Sequence, residues 1–178
     1  MTLKKFYNIA KNRLFKLNRS ITGKDLRLTL RIIKNKIPEL KIKKISSGQK
    51  VFDWKVPSEW NVLNAYVVDK YNNKIIDFKK NNLHLVGYSI PIKKEVFRNE
   101  LLKNLNYLKE QPKAIPYMTS YYKKRWGFCV SYNQFKKFKS KYSSKDKFRI
   151  VIDSNFKKNG ELNYGECILK RKNKKEIL

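Results

Sequence analysis

The chain has 178 residues, of which 41% are hydrophobic and 13% aromatic, a composition that excludes a disordered polypeptide and fits one domain or one and a half. Its 43 Lys and Arg outnumber its 14 Asp and Glu, for a net charge of +29, which alone points to nucleic acid or an anionic surface. The cations are nearly all Lys, spread from Lys4 to Lys175 among abundant Asn, Ile, Phe and Tyr; these types share AT-rich codons, so genome base composition accounts for them better than a nucleic-acid role, and no element gathers Arg with Asn or Gln for base readout.

Leu3, Phe6, Ala10, Leu14 and Leu17 recur at helical spacing, with Lys4, Lys5, Lys11 and Lys16 opposite. Such a basic amphipathic helix can lie on a membrane; docking of its stripe on a core is the favoured expectation. Thr22 and Asp25 give a capping-type start before Leu26, Leu30, Ile33 and Ile37, and Pro38 stops that helix. Leu40–Ile45 alternates as a strand, Ser46–Gly48 turns, and Val51–Val56 reads as a second strand with Phe52, Trp54 and Val56 on one face.

From Pro57 the pattern is short strands and turns. Ala65–Asp69 and Lys74–Phe78 flank an Asn-rich turn and predict a hairpin. Leu83–Ile90 reads as a strand closed by Pro91, Glu95–Leu108 as a helix with Phe97, Leu101, Leu105 and Leu108 on one side, and Gln111–Pro116 as a loop. Trp126–Ser131, Phe148–Ile152 and Leu162–Leu169 are expected strands, and Glu176–Leu178 starts one more. The N-terminus lacks the apolar core and cleavage site of a secretory signal, and no segment is long enough to span a membrane, so a cytoplasmic location without membrane association is expected.

The segment Pro116–Cys129, PYMTSYYKKRWGFC, concentrates aromatics, Gly and Cys in a Lys- and Asn-rich chain. It reads equally as a packed core segment or as a cleft wall, since Tyr and Trp offer flat apolar area with one polar edge. The cleft-wall candidates are His84, Tyr121, Tyr122, Arg125 and Trp126, and a peptide or glycan is the ligand class they suit. No catalytic residue and no metal ligand is assigned: the single His, His84, and the distant Cys129 and Cys167 do not form a zinc pattern, and no Gly-x-Ser-x-Gly, Walker A or dinucleotide motif occurs.

Four stretches, Arg19–Gly23, Ser47–Trp60, Asp77–Pro91 and Ile115–Cys129, with Tyr164-Gly165-Glu166, resemble bacterial aminopeptidase-like proteins of the zinc-dependent di-metal aminopeptidase superfamily, often labelled as domains of unknown function. The resemblance covers most of the chain from Arg19 onward. It implies an α+β fold: an incomplete α/β peptidase core in residues 1–57, an inserted β-rich domain in 58–154, and a hairpin, 155–178, returning to the core. It also implies that the zinc ligands of full-length relatives lie beyond Leu178, so the chain holds no cofactor, is inactive alone, and has the missing C-terminal peptidase half as its expected partner. A non-catalytic peptide- or glycan-binding module is the alternative, and a basic nucleic-acid-binding protein a weaker one.

Overall fold

The structure, a computed structural model, describes residues 2–168. The expected strand at Glu176–Leu178 and the last residue of Leu162–Leu169 lie outside them. The centre of the molecule is a four-stranded antiparallel sheet in the order β5-β4-β9-β6, formed by Glu59–Val68 (β4), Lys74–Asp77 (β5), Ile92–Phe97 (β6) and Lys147–Lys157 (β9). β4 and β9 alternate buried and exposed side chains, as a sheet with one covered face requires. Trp60, Val62, Ala65 and Val67 from β4 face the core with Phe148, Ile150 and Ile152 from β9. A bulge between Val62 and Asn64 restores the inward register between Val62 and Ala65.

The covered face is closed by Arg98–Lys103 (α3), the short parallel pair Leu105–Asn106 (β7) and Phe128–Cys129 (β8), and Tyr132–Lys141 (α4). Leu101, Leu105, Phe128, Phe138 and Tyr142 complete the core. The rings of Phe138, Tyr142 and Phe148 meet with centroids 4.9–5.0 Å apart. α4 begins with a capping box: Ser131 Oγ accepts the Gln134 N–H at 3.1 Å, and Gln134 Oε1 accepts the Ser131 N–H at 2.8 Å.

A second unit flanks the sheet. Lys41–Ser46 (β1) pairs antiparallel with Glu161–Glu166 (β10), and Lys24–Lys34 (α2) packs beside β10. β9 runs on without interruption through Asn155 to Lys157 before the turn into β10. One ion pair joins α2 to the sheet: Arg27 holds Glu59 through two bonds of 2.8 Å each, a bidentate geometry. The Asn61 amide and the Glu161 N–H also donate to this carboxylate, at 3.0 and 3.2 Å. Held mainly by the Arg27 guanidinium, the Glu59 carboxyl is lowered from its ordinary 4.5 to about 2, against the opposing effect of burial. Gly160 makes the close approach feasible, because a Cβ there would sit 2.2 Å from Glu59 Cβ.

Several sequence expectations are corrected. Leu3–Ile9 (α1) continues as a π-helical turn over Ala10–Leu14, but α1 buries no side chain; Leu3 is 84% exposed and only Leu14 is buried among the stripe through Leu14. The stripe is therefore not docked on the described core. Thr22 and Asp25 do not cap α2: its N-cap is Gly23 at φ 104°, while Asp25 accepts the Asn18 N–H at 2.9 Å. Val51–Val56 is a tight hairpin of Lys50–Val51 (β2) and Trp54–Lys55 (β3), with Phe52 at its tip, at φ 53° and 92% exposed.

Leu83–Ile90 is not a strand. The Asn81 side chain accepts the Leu83 N–H and starts a 3-10 turn over Asn82–His84, and Tyr88 at φ 63° breaks the extended path. The helix expected over 95–108 shortens to α3, because Glu95, Val96 and Phe97 pair with Arg149, Phe148 and Lys147 in the sheet and Leu105 starts β7. Trp126–Ser131 contributes only β8. The loop at 111–116, the 65–78 hairpin and the strands at β1, β9 and β10 lie where they are expected.

Candidate functional site

The 116–129 segment folds back on the irregular 85–90 stretch. Gly87 N–H donates to Met118 O at 2.8 Å, Ser120 N–H to Gly87 O at 2.9 Å, Val86 N–H to Gly127 O at 3.1 Å and Ile90 N–H to Arg125 O at 3.0 Å. Between these anchors, residues 120–125 form a tight turn, held by Lys123 N–H to Ser120 O and Arg125 N–H to Lys123 O, both 2.9 Å. The turn carries Tyr121 and Tyr122 to the surface above Tyr88.

Tyr88 is fixed from three sides. Its ring stacks on Trp60 (centroids 5.7 Å, 18° between planes), its hydroxyl lies 2.8 Å from Thr22 Oγ1, and the same Thr22 oxygen accepts the Trp60 N–H at 3.0 Å. Trp60 Nε1–H in turn donates to Ser89 O at 3.0 Å, which also accepts the Ser154 hydroxyl at 2.8 Å. Burial, opposed by the Thr22 hydrogen bond, pushes the Tyr88 phenol up to about 12, so it stays neutral and serves as a hydrogen-bonding strut.

Tyr88 and Tyr121 both adopt left-handed backbone, at φ 63° and 42°, and their rings meet edge to face at 5.4 Å. For side chains of this size such backbone costs about 1–3 kcal/mol per residue, and it clusters at binding sites where the surroundings enforce it. The result is a cleft of about 190 Å³ with Tyr88 as its floor. Tyr121 (39% exposed), Tyr122 (59%) and Phe156 (38%) form its walls, and Lys123 and Lys124 stand at its rim. The Tyr122 hydroxyl bonds Lys55 O, so the most exposed ring is also tethered.

Of the five residues singled out in the sequence, Tyr121 and Tyr122 meet in this cleft. Arg125 lies at the end of the turn, its side chain against Thr119 O at 3.5 Å. Trp126 packs against the core beside Phe128, with Lys94 Nζ 5.6 Å from its ring centroid. His84 is buried elsewhere. Its Nδ1 lies 2.7 Å from Cys129 O, and a carbonyl only accepts, so Nδ1 carries the proton. Tyr88 and Phe156 were missed: Tyr88 sits inside an apparent strand, and only the Gly-Tyr-Ser break in its pattern signals an irregular backbone.

The described residues do not fit a zinc site. No three His, Cys, Asp or Glu side chains among them come together. Burial also pushes the Cys129 thiol up to about 12, away from the thiolate that ligates metal or attacks carbon. A second depression, about 200 Å³, lies between α4 and β5. Its Phe138, Tyr142, Val130 and Leu105 already belong to the core, and its walls present no ring comparable to Tyr122. No helix among the described residues is long and apolar enough to cross a membrane.

The profile of the family described as a domain of unknown function (DUF2172) matches residues 59–155, which span β4 to β9 and the cleft-forming turn. The chain belongs to this family. It is also 43% identical over 172 residues to a Clostridium acetobutylicum protein whose provisional name is polysaccharide biosynthesis protein with aminopeptidase-like domain. That match covers 97% of this chain and 38% of the relative. The crystal structure of a provisionally named peptidase from the same organism superposes with a TM-score of 0.81 at 43% identity, over 91% of this chain and 36% of that one. The chain thus spans less than two-fifths of the length of either protein.

Proposed function

We propose that this chain is the N-terminal, non-metal-binding part of an aminopeptidase-like protein. In the whole protein zinc would activate water for hydrolysis of N-terminal peptide bonds. The observation that carries this reading is the 43% identity across 97% of the chain to a relative with an aminopeptidase-like domain, of which the match covers only 38%. The chain's own residues would then shape and support a site whose reacting groups come from elsewhere. The test is zinc content and turnover of leucine p-nitroanilide by the purified chain. Neither is expected above background; one zinc per chain together with turnover overturns the reading.

A second reading rests on the cleft. Three exposed aromatic rings converge on a locked Tyr88, which suits a non-catalytic module holding a peptide or a glycan. The relative's naming for polysaccharide biosynthesis supports the glycan arm.

A further inference from the structure

We propose that the cleft above Tyr88 binds one sugar ring carrying an acidic substituent; this rests on the second reading above and names its ligand. At about 190 Å³ the cleft is smaller than the roughly 300 Å³ at which sites for drug-sized ligands begin, so it admits one ring-sized group. Its walls are aromatic. A pyranose has an apolar face of weakly positive C–H groups and a periphery of hydroxyls, and the negative π-faces of Tyr and Phe complement that face.

The arrangement of the rings favours a sugar over a nucleic-acid base. Tyr121 and Phe156 stand at 65° and 61° to the plane of the buried Tyr88 ring, so the exposed ring area comes from tilted walls and not from a flat platform. A base stacks on a platform parallel to itself. The cleft also offers little to an extended peptide, which needs a row of free backbone N–H and C=O groups. Pro57 has no N–H, and the Ile90 N–H is taken by Arg125 O.

The acidic substituent is assigned from the rim. Lys123 and Lys124 are exposed on the hydrogen-bonded 120–125 turn, and neither joins an ion pair among the described residues. Both residues line the cleft beside Tyr121 and Tyr122, where a carboxylate or phosphate on the sugar would meet a cation. The walls are in place before the ligand arrives, since Tyr88 is stacked and hydrogen-bonded and Tyr122 is tied to Lys55. Little ordering remains to be done on binding.

The test is a two-dimensional 1H–15N titration of the full 178-residue chain with glucuronic acid, glucose, inorganic phosphate, thymidine 5′-phosphate and Leu-Gly-Gly. Glucuronic acid is expected to move the amides of residues 121–124 saturably, and glucose to move the same amides with about five-fold weaker affinity. Tyr122→Ala, at an exposed position, should weaken glucuronic acid about tenfold. Lys123→Gln combined with Lys124→Gln should bring glucuronic acid down to the level of glucose. Phosphate matching glucuronic acid would mean a plain anion site and overturn the proposal, as would tighter binding of the thymidine nucleotide. Saturation by Leu-Gly-Gly with no response to either sugar removes the sugar and keeps the cleft as a peptide site. Silence from all five probes removes both.

Discussion

α1 and α2 are basic amphipathic helices within the first 34 residues, and they meet opposite fates. α2 is locked to the sheet. Arg27 grips Glu59, the Lys24 N–H donates to Asn61 Oδ1 at 2.8 Å, Gly23 turns under Trp60, and Thr29 and Ile32 are buried. α1 buries nothing, and the chain after it is held by Leu14 and by the Asn82 amide, which donates to Phe15 O and Leu17 O at 3.0 Å each. A stripe of apolar residues defines a face; what fixes a helix in place is a set of long-range partners, and for α2 these include an ion pair and a backbone-to-side-chain bond beside the buried Ile32.

The largest expected break in this contrast is Arg27→Ala. It strands the Glu59 carboxylate, 3% exposed, without its cation, and removing one partner of a buried pair typically costs about 3 kcal/mol. Urea unfolding should show that loss, and a change below about 1 kcal/mol would mean that the pair does not hold α2 to the sheet. The same pair sets an acid limit. The Glu59 carboxyl is lowered in the folded chain, so its contribution is fully present above the ordinary value of 4.5 and is lost as pH falls through about 2. That window should carry about 3 kcal/mol of destabilisation in the parent chain and much less in Arg27→Ala. Parallel stability curves for the two proteins between those pH values would contradict the assignment.

An intermediate case is α4, which has its own cap as well as a buried Phe138. Ser131→Ala removes the acceptor for the Gln134 N–H and should cost about 1 kcal/mol in the same unfolding assay. A neutral result would show that packing of Phe138 alone fixes the start of this helix.

What could be read from the sequence follows the same division between local and long-range causes. The 65–78 hairpin, β1, β9 and β10 were legible because alternation and Asn or Gly turns are local signals. Phe97 was not, because its pairing with Lys147 across the sheet overrides the helical spacing it shares with Leu101 and Leu105. α4 carried two readable signals that went unused, a Ser-x-x-Gln start at Ser131 and Phe135, Phe138 and Tyr142 at helical spacing. In the cleft, Tyr121 and Tyr122 stood out by composition. Tyr88 and Phe156 join them only through a left-handed turn and a β-strand end, which a one-dimensional pattern does not encode. His84 and Trp126, chosen by residue type, are spent on a backbone carbonyl and on the core.

The smallest expected effect lies in α1. Phe6→Ala removes an exposed ring from a helix with no buried side chain, so the stability of the chain should change by no more than about 0.5 kcal/mol. A docked Phe would lose about 3 kcal/mol or more on truncation, so the two situations are well separated. Hydrogen exchange gives the same contrast without mutation. Amides of α1 should exchange by local opening, while those of α2 should approach the protection of β4 and β9, to which Arg27 and Glu59 tie them. If Phe6→Ala proves as costly as a core truncation, the apolar face of α1 is covered in solution, and the difference between the two helices is one of partner rather than of docking.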